Sequence, residues 1–170
     1  MDLQKIKEKV IIALQCFYAN DAYLIDKNVH ERALTFRLGM YLQILFSSWD
    51  VDCEYNKNYQ TAHNNKLLSK RCDKEPKFNC KDCGDHRKCT VFPDIIIHKR
   101  GTSENQLVIE TKCNANKTQK NNDLKKLQAY LNEPTLHYKY GVFIDFKESV
   151  NETIESLYWL QPRDFTNAKQ

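Results

Sequence analysis

The stretch 91–113, VFPDIIIHKRGTSENQLVIETKC, places an aspartate, a glutamate and a lysine on two runs that are otherwise apolar. Asp94 opens the run DIIIH, and the run LVIETKC ends in Glu110 and Lys112. The Gly-Thr-Ser-Glu-Asn segment between them has turn chemistry, so the runs are predicted to be the strands of a hairpin. Side chains alternate along a strand, which puts Glu110 and Lys112 on one face. Hairpin pairing sets the start of the first strand opposite the end of the second, so Asp94 faces Glu110 and Lys112. Two carboxylates converging on one point repel unless a cation lies between them, and hard oxygen donors suit Mg2+ or Mn2+. A lysine two residues along can polarise a water or stabilise charge developing on a phosphate. The competing account has Asp94 capping a turn after Pro93 while Glu110 pairs with Lys112 on a solvated face. It leaves Ile95, Ile96, Ile97, Leu107, Val108 and Ile109 unexplained, because strands apolar on both faces are central ones.

Strands buried on both faces need helices to cover them. Residues 2–19 have helical period, with Ile6, Val10, Ala13, Leu14 and Phe17 on one stripe. A second helix is predicted over 28–46, with Leu34, Leu38, Leu42 and Leu45 on its stripe, and three positions back that stripe reaches Glu31. A carboxylate is thereby aimed inward at the first turn, although complementing the helix dipole is the simpler reason for an acid there. Arg37 falls on another face and suits a structural salt bridge better than a phosphate contact. A short strand over 51–56 carries Glu54, either beside the site or in a structural pair. Further along come a helix over 121–131 stopped by Pro134, a strand over 137–146, and a closing helix over 148–160 ended by Pro162. His98 shares a strand face with Asp94, and a satisfied histidine at the strand end is the better account of it.

The words Pro93-Asp94 and Glu110-Thr111-Lys112, each on a strand-like run with a turn between, resemble the signature of the PD-(D/E)XK nuclease superfamily. The resemblance covers roughly 28–146 apart from an insertion, and the order helix, strand, strand, strand, helix, strand agrees with that family's core. It implies an α/β restriction-endonuclease-like fold, an αβββαβ core whose central mixed sheet is flanked by helices. It also implies a Mg2+- or Mn2+-dependent deoxyribonuclease, most simply an endonuclease, that hydrolyses phosphodiester bonds in DNA for defence or DNA processing. On that resemblance Asp94 and Glu110 hold the ion, the Thr111 carbonyl adds a ligand, Glu31 completes the set directly or through water, and Lys112 handles the attacking water or the phosphate charge. Double-strand cleavage by one small site ordinarily takes two subunits, so a homodimer or a partner subunit is expected. The alternative is a catalytically silent or partner-activated, zinc-stabilised subunit that binds nucleic acid or another protein.

The insertion, 57–90, is a second place where residue types imply chemistry. Four of the seven cysteines fall there: Cys72, Cys80, Cys83 and Cys89. Cys80-Lys81-Asp82-Cys83-Gly84 has the two-residue spacing that lets both thiolates reach one Zn2+, with a glycine to turn beneath it. Cys89 and Cys72 would close a structural four-cysteine site, with His86 as the alternative ligand. A segment so poor in large apolar residues cannot build a core and needs such a staple. Its lysines and arginines outnumber its acids, which suits contact with a nucleic-acid backbone. Cys16, Cys53 and Cys113 fall in predicted helix or strand and are most simply small core residues.

The remaining numbers set bounds. At 170 residues and 41% hydrophobic, the chain is long enough for one domain with a real core and too short for two comfortable ones, so a single nuclease-like domain over 1–170 is expected. No apolar run approaches a membrane span, and the start lacks a signal peptide's apolar core, which predicts a cytoplasmic protein without a membrane partner. A net charge of +4 does not itself demand nucleic acid. Its distribution says more: Lys112, Lys117, Lys120, Lys125 and Lys126 stand against the single acid Asp123, and Lys99 and Arg100 sit in the hairpin turn. A positive rim beside a carboxylate pocket suits a polyanion, though each of these lysines is as well explained by a solvated helix face.

Overall fold

A computed structural model of the protein describes residues 1–57, 67–69 and 88–162, with 67–69 and 88–90 described by backbone alone. The elements run α1 (Leu3–Asp21), α2 (Tyr23–Asp26), α3 (Glu31–Leu45), β1 (Asp50–Cys53), β2 (Leu67–Ser69), β3 (Lys88–Thr90), β4 (Ile95–His98), β5 (Asn105–Cys113), α4 (Lys117–Asn132), β6 (Tyr138–Phe146), α5 (Val150–Glu155) and β7 (Tyr158–Leu160). The protein is α/β, with a five-stranded mixed sheet in the order β1-β4-β5-β6-β7 and a separate antiparallel pair β2-β3. β4 and β5 form the expected antiparallel hairpin, with Ile95 opposite Ile109, whereas β5 and β6 are parallel and joined through α4. Crossing back through a helix is what a parallel neighbour requires.

The hairpin strands are buried on both faces, and their alternation divides the core. Ile95, Ile97, Leu107, Ile109, Val142 and Ile144 pack with α1 and α3 through Ile6, Val10, Leu14, Phe17, Leu34, Leu38 and Leu42. Ile96, Val108 and Phe143 face the other way, onto Leu127, Tyr130 and Leu131 of α4. Asp2 caps α1 by accepting from the Lys5 amide at 2.9 Å. Asn116 and Gln119 form a capping box that starts α4 earlier than its leucine spacing alone predicts.

The structure adds one element and revises another. A single turn of helix, α2, lies in the connection between the first two long helices. The closing helix stops at Glu155, where Ser156 donates its hydroxyl to the Thr153 carbonyl at 2.9 Å. Tyr158–Leu160, expected to be helical, form β7 and pair with Gly141, Val142 and Phe143. The exposed edge of β6 supplies a full row of backbone partners, and a Tyr-Trp-Leu run suits a strand better than a helix. No helix among the described residues is long and apolar enough to cross a membrane.

Candidate active site

β5 ends where the sheet meets the N-terminus of α3 and the middle of α4. Asp94 immediately precedes β4 and, one step beyond the Ile95–Ile109 pair, comes level with Glu110. Glu110 and Lys112 share the parity of Val108, and so they stand on the α4 side of the sheet, while Asp94, just outside β4, lies at the strand entrance beside them. The Asp94 carboxylate is anchored to the neighbouring strand, with Oδ2 accepting from the Thr111 amide at 2.7 Å and from the Thr111 hydroxyl at 3.2 Å. On the opposite sheet face the Thr111 and Thr35 hydroxyls meet at 2.9 Å, which ties α3 to β5.

Glu31 begins α3, one turn before Thr35, after His30 caps the helix by accepting from the Arg32 amide. Its Oε1 takes a hydrogen bond from Lys112 Nζ at 2.6 Å. The sequence-predicted set Asp94, Glu110, Lys112 and Glu31 is thus gathered at one end of the sheet, with Glu31 engaged by the lysine. Lys112 also donates to the Thr111 carbonyl at 2.9 Å and lies 3.6 Å from Asp123 Oδ2. Burial lowers the pKa of the Lys112 ammonium, but the Glu31 hydrogen bond and the charges of Asp123, Glu31 and Asp94 outweigh it, and the net shift is upward. Lys112 is therefore a cation at neutral pH.

Two site residues were not legible as such. Asp123 and Lys126 both lie on α4, and Lys126 reaches Glu110 Oε2 at 2.7 Å. Glu110 is only 1% exposed, and among the described residues its Oε1 has no hydrogen-bond partner. Burial above all, then the Asp94 charge, outweighs the help of Lys126 and lifts the Glu110 pKa to about 8. Burial likewise raises Asp123, against the opposing pull of Lys112 and Lys126. Tyr130, a turn beyond Lys126, brings its hydroxyl up to the Glu110 carboxylate: burial raises its pKa first, and the Glu110 charge and the side-chain contact with Glu110 raise it further. The spacing Asp123, Lys126, Tyr130 is itself a helical stripe, adjacent to the Leu124, Leu127, Leu131 one, and that was the available signal.

Other expectations resolve elsewhere. Arg37 pairs with Asp21 at 2.9 Å, as a structural salt bridge. Glu54 pairs with the exposed Arg32 at 2.7 Å. His98 is buried and meets Asp52 at 2.8 Å, at a bulge in the hairpin. Lys99 and Arg100 do not rim the site, because the hairpin turn lies at the other end of β4, about 15 Å away at strand rise. Arg100 pairs with Asp52 and Asp50, and Lys99 donates to the Ser48 carbonyl.

Among the described residues no three His, Cys, Asp or Glu side chains stand together as a ready-made metal cage. What stands there is a pair, Asp94 and Glu110, with the Thr111 carbonyl alongside and a buried carboxylate oxygen lacking a partner. That donor chemistry fits a hard divalent cation. Cys72, Cys80, Cys83 and His86 lie outside the described residues, and Cys89 belongs to β3, described by backbone alone. Cys53 and Cys113 pack against the main core, and burial raises the Cys53 thiol to about 11. Comparison of the chain with protein-family models, with curated proteins and with solved structures found no match.

Proposed function

We propose that the protein is a divalent-metal-dependent nuclease hydrolysing phosphodiester bonds, with DNA as its substrate and with a restriction-endonuclease-like core. The observation that carries this reading is Asp94 at the entrance to β4, level with Glu110 on the antiparallel β5, with Lys112 on the face of Glu110 and a buried Glu110 oxygen bonded to no described residue. The helix and strand order, and a β5-β6 pair made parallel by an intervening helix, support the core assignment.

Asp94 and Glu110 would hold Mg2+ or Mn2+, with the Thr111 carbonyl as a further donor. When bound, such an ion polarises the phosphate oxygens and lowers the pKa of a coordinated water. The chain's own groups do the rest. Thr111 fixes the Asp94 carboxylate from both its amide and its hydroxyl. Lys112, held protonated, donates to charge developing on the phosphate instead of acting as a base. Glu31 orients Lys112 through their 2.6 Å bond, so its part is positioning. In the reaction a water oxygen attacks phosphorus and gives up a proton to solvent, one P–O ester bond breaks, and the departing oxygen takes a proton from solvent.

The cysteine-rich insertion belongs to the same proposal as a structural Zn2+ lobe that adds backbone contact to the nucleic acid. A set of four thiolates stays reduced in the cytoplasm, where we place the protein. One observation favours the silent-subunit alternative: Lys126 and Lys112 already sit on the carboxylates Glu110 and Glu31.

The test is cleavage of supercoiled plasmid and of single-stranded DNA with Mg2+ or Mn2+, comparing wild type with Asp94→Ala and Lys112→Ala and using EDTA as control. Loss of one metal-holding carboxylate is expected to cost on the order of 10³-fold in rate. Nicking that disappears in both variants and in EDTA supports the nuclease. Equal background in every sample overturns it in favour of a binding or partner-activated subunit.

A further inference from the structure

The two carboxylates of the site do not offer four oxygens to metal. Asp94 Oδ2 is already committed to the Thr111 amide and hydroxyl, and Glu110 Oε2 to the Lys126 ammonium. The ions of a two-metal centre stand about 3.5–4 Å apart and must draw on the same few carboxylate oxygens. With Asp94 Oδ2 accepting two hydrogen bonds and Glu110 Oε2 accepting from an ammonium, each carboxylate keeps one oxygen clear of such bonds for metal. Glu31, which could have served a second ion, is held by Lys112 at 2.6 Å.

Charge leads to the same place. Once metal binding has displaced the Glu110 proton, Glu31, Asp94, Glu110 and Asp123 stand as four carboxylates against Lys112 and Lys126, a formal balance of −2. One divalent cation neutralises that balance. A second would leave an uncompensated excess in a region where Glu110 is almost fully buried, and charge is least tolerated in such a medium. Lys126 engages Glu110 Oε2, which leaves the buried Oε1, bonded to no described residue, as the glutamate oxygen able to take an ion.

We infer that this site takes a single divalent ion, between Asp94 and Glu110 Oε1, and that Lys126 stands in for the second cation of a two-ion centre. The inference rests on the metal-site reading above and adds to it the stoichiometry and a role for a lysine on α4. Lys126 is a positioning residue in this scheme: it holds Glu110 and fixes how many ions the pocket accepts.

The test is a count of Mn2+ bound per full-length chain, by electron paramagnetic resonance of free Mn2+ during titration of zinc-replete protein. Wild type is expected to bind one ion, lost in Asp94→Asn. Lys126→Glu, which replaces the cation by a carboxylate, is expected to bind two, with the exchange-coupled spectrum of a close Mn2+ pair. Lys126→Ala, which frees Glu110 Oε2 without adding a carboxylate, is expected to admit a second and weaker ion. Melting curves report whether each variant folds, and if Lys126→Glu does not, Lys126→Ala and the wild-type count decide. Two ions in wild type, or one ion in wild type and in both folded Lys126 variants, overturn the inference while leaving the metal site standing. No Mn2+ bound by wild type overturns both.

Discussion

Lys126 meets Glu110 at 2.7 Å inside the seam between α4 and β5, where the glutamate is 1% exposed. A carboxylate buried so deeply is stable as an anion only while a cation stays beside it. One ammonium on one of its two oxygens is incomplete compensation, and the Asp94 charge nearby adds to the cost.

Metal-free protein is therefore expected to lose stability as pH rises. The folded Glu110 binds its proton up to about pH 8, whereas the unfolded chain releases it in the ordinary glutamate range near about 4.3. Between those values the folded state holds more protons, so stability is fully present below the lower value and is lost as pH climbs through the upper one, by at most about 1.4 kcal/mol per pH unit. Urea unfolding from pH 5 to pH 8.5 in EDTA checks this. Glu110→Gln is expected to flatten the profile, and added Mn2+ to restore stability at the alkaline end.

Glu31→Gln separates a ligand from a positioning group. The Glu31 carboxylate contacts Lys112, so the substitution is expected to leave Mn2+ affinity nearly unchanged and to lower the cleavage rate by about tenfold, the scale of one weakened charged hydrogen bond. Loss of Mn2+ binding in this variant would identify Glu31 as a ligand instead.

The far end of the hairpin carries stability rather than chemistry. Burial works against ionised Asp52, yet hydrogen bonds from Arg100 and His98 outweigh it and hold its pKa below the usual range. Asp52→Ala removes the 2.8 Å contact with buried His98, at a cost of about 1–3 kcal/mol in denaturant unfolding. Mn2+ affinity is expected to stay unchanged, because about 15 Å of strand separates the two ends.

Gly39 lies in α3 against β1, and a Cβ there would meet Cys53 Sγ at 2.9 Å. Gly39→Ala gains about 1 kcal/mol of helix propensity, which the overlap is expected to exceed, for a net loss of about 1–2 kcal/mol. In a double-mutant cycle Cys53→Ala removes the sulfur, and Gly39→Ala becomes stabilising in that background. Additive effects of the two substitutions would show that the contact is relieved by simple rotation of the thiol.

The hairpin was legible because alternation is a property of the chain itself. Once β4 and β5 are strands, Glu110 and Lys112 must share a face, the hairpin brings Asp94 level with Glu110, and apolar neighbours on both sides make the pair central. Glu31 was legible by extending a helical stripe one turn backward, whereas leucine spacing alone starts α4 at 121 and misses the capping box at Asn116 and Gln119. The last helix was misread because 148–160 has helical spacing, while the choice of strand for Tyr158–Leu160 depends on the open edge of β6.

What the sequence by itself determined is therefore local: which residues are strand or helix, and which side chains share a face. Which charges meet was decided only by the tertiary structure. Lys126 was grouped with exposed lysines along α4, although the docking of that helix turns it, with Asp123, into the seam beside β5. Lys99 and Arg100 were placed near the carboxylates by sequence proximity, although the hairpin carries them to the opposite end. Periodicity fixes the angle of a side chain about its own element. The partner it finds across a packed interface depends on where the next element docks, and that is set by the fit of whole apolar faces such as Leu127 and Tyr130 against Val108 and Phe143.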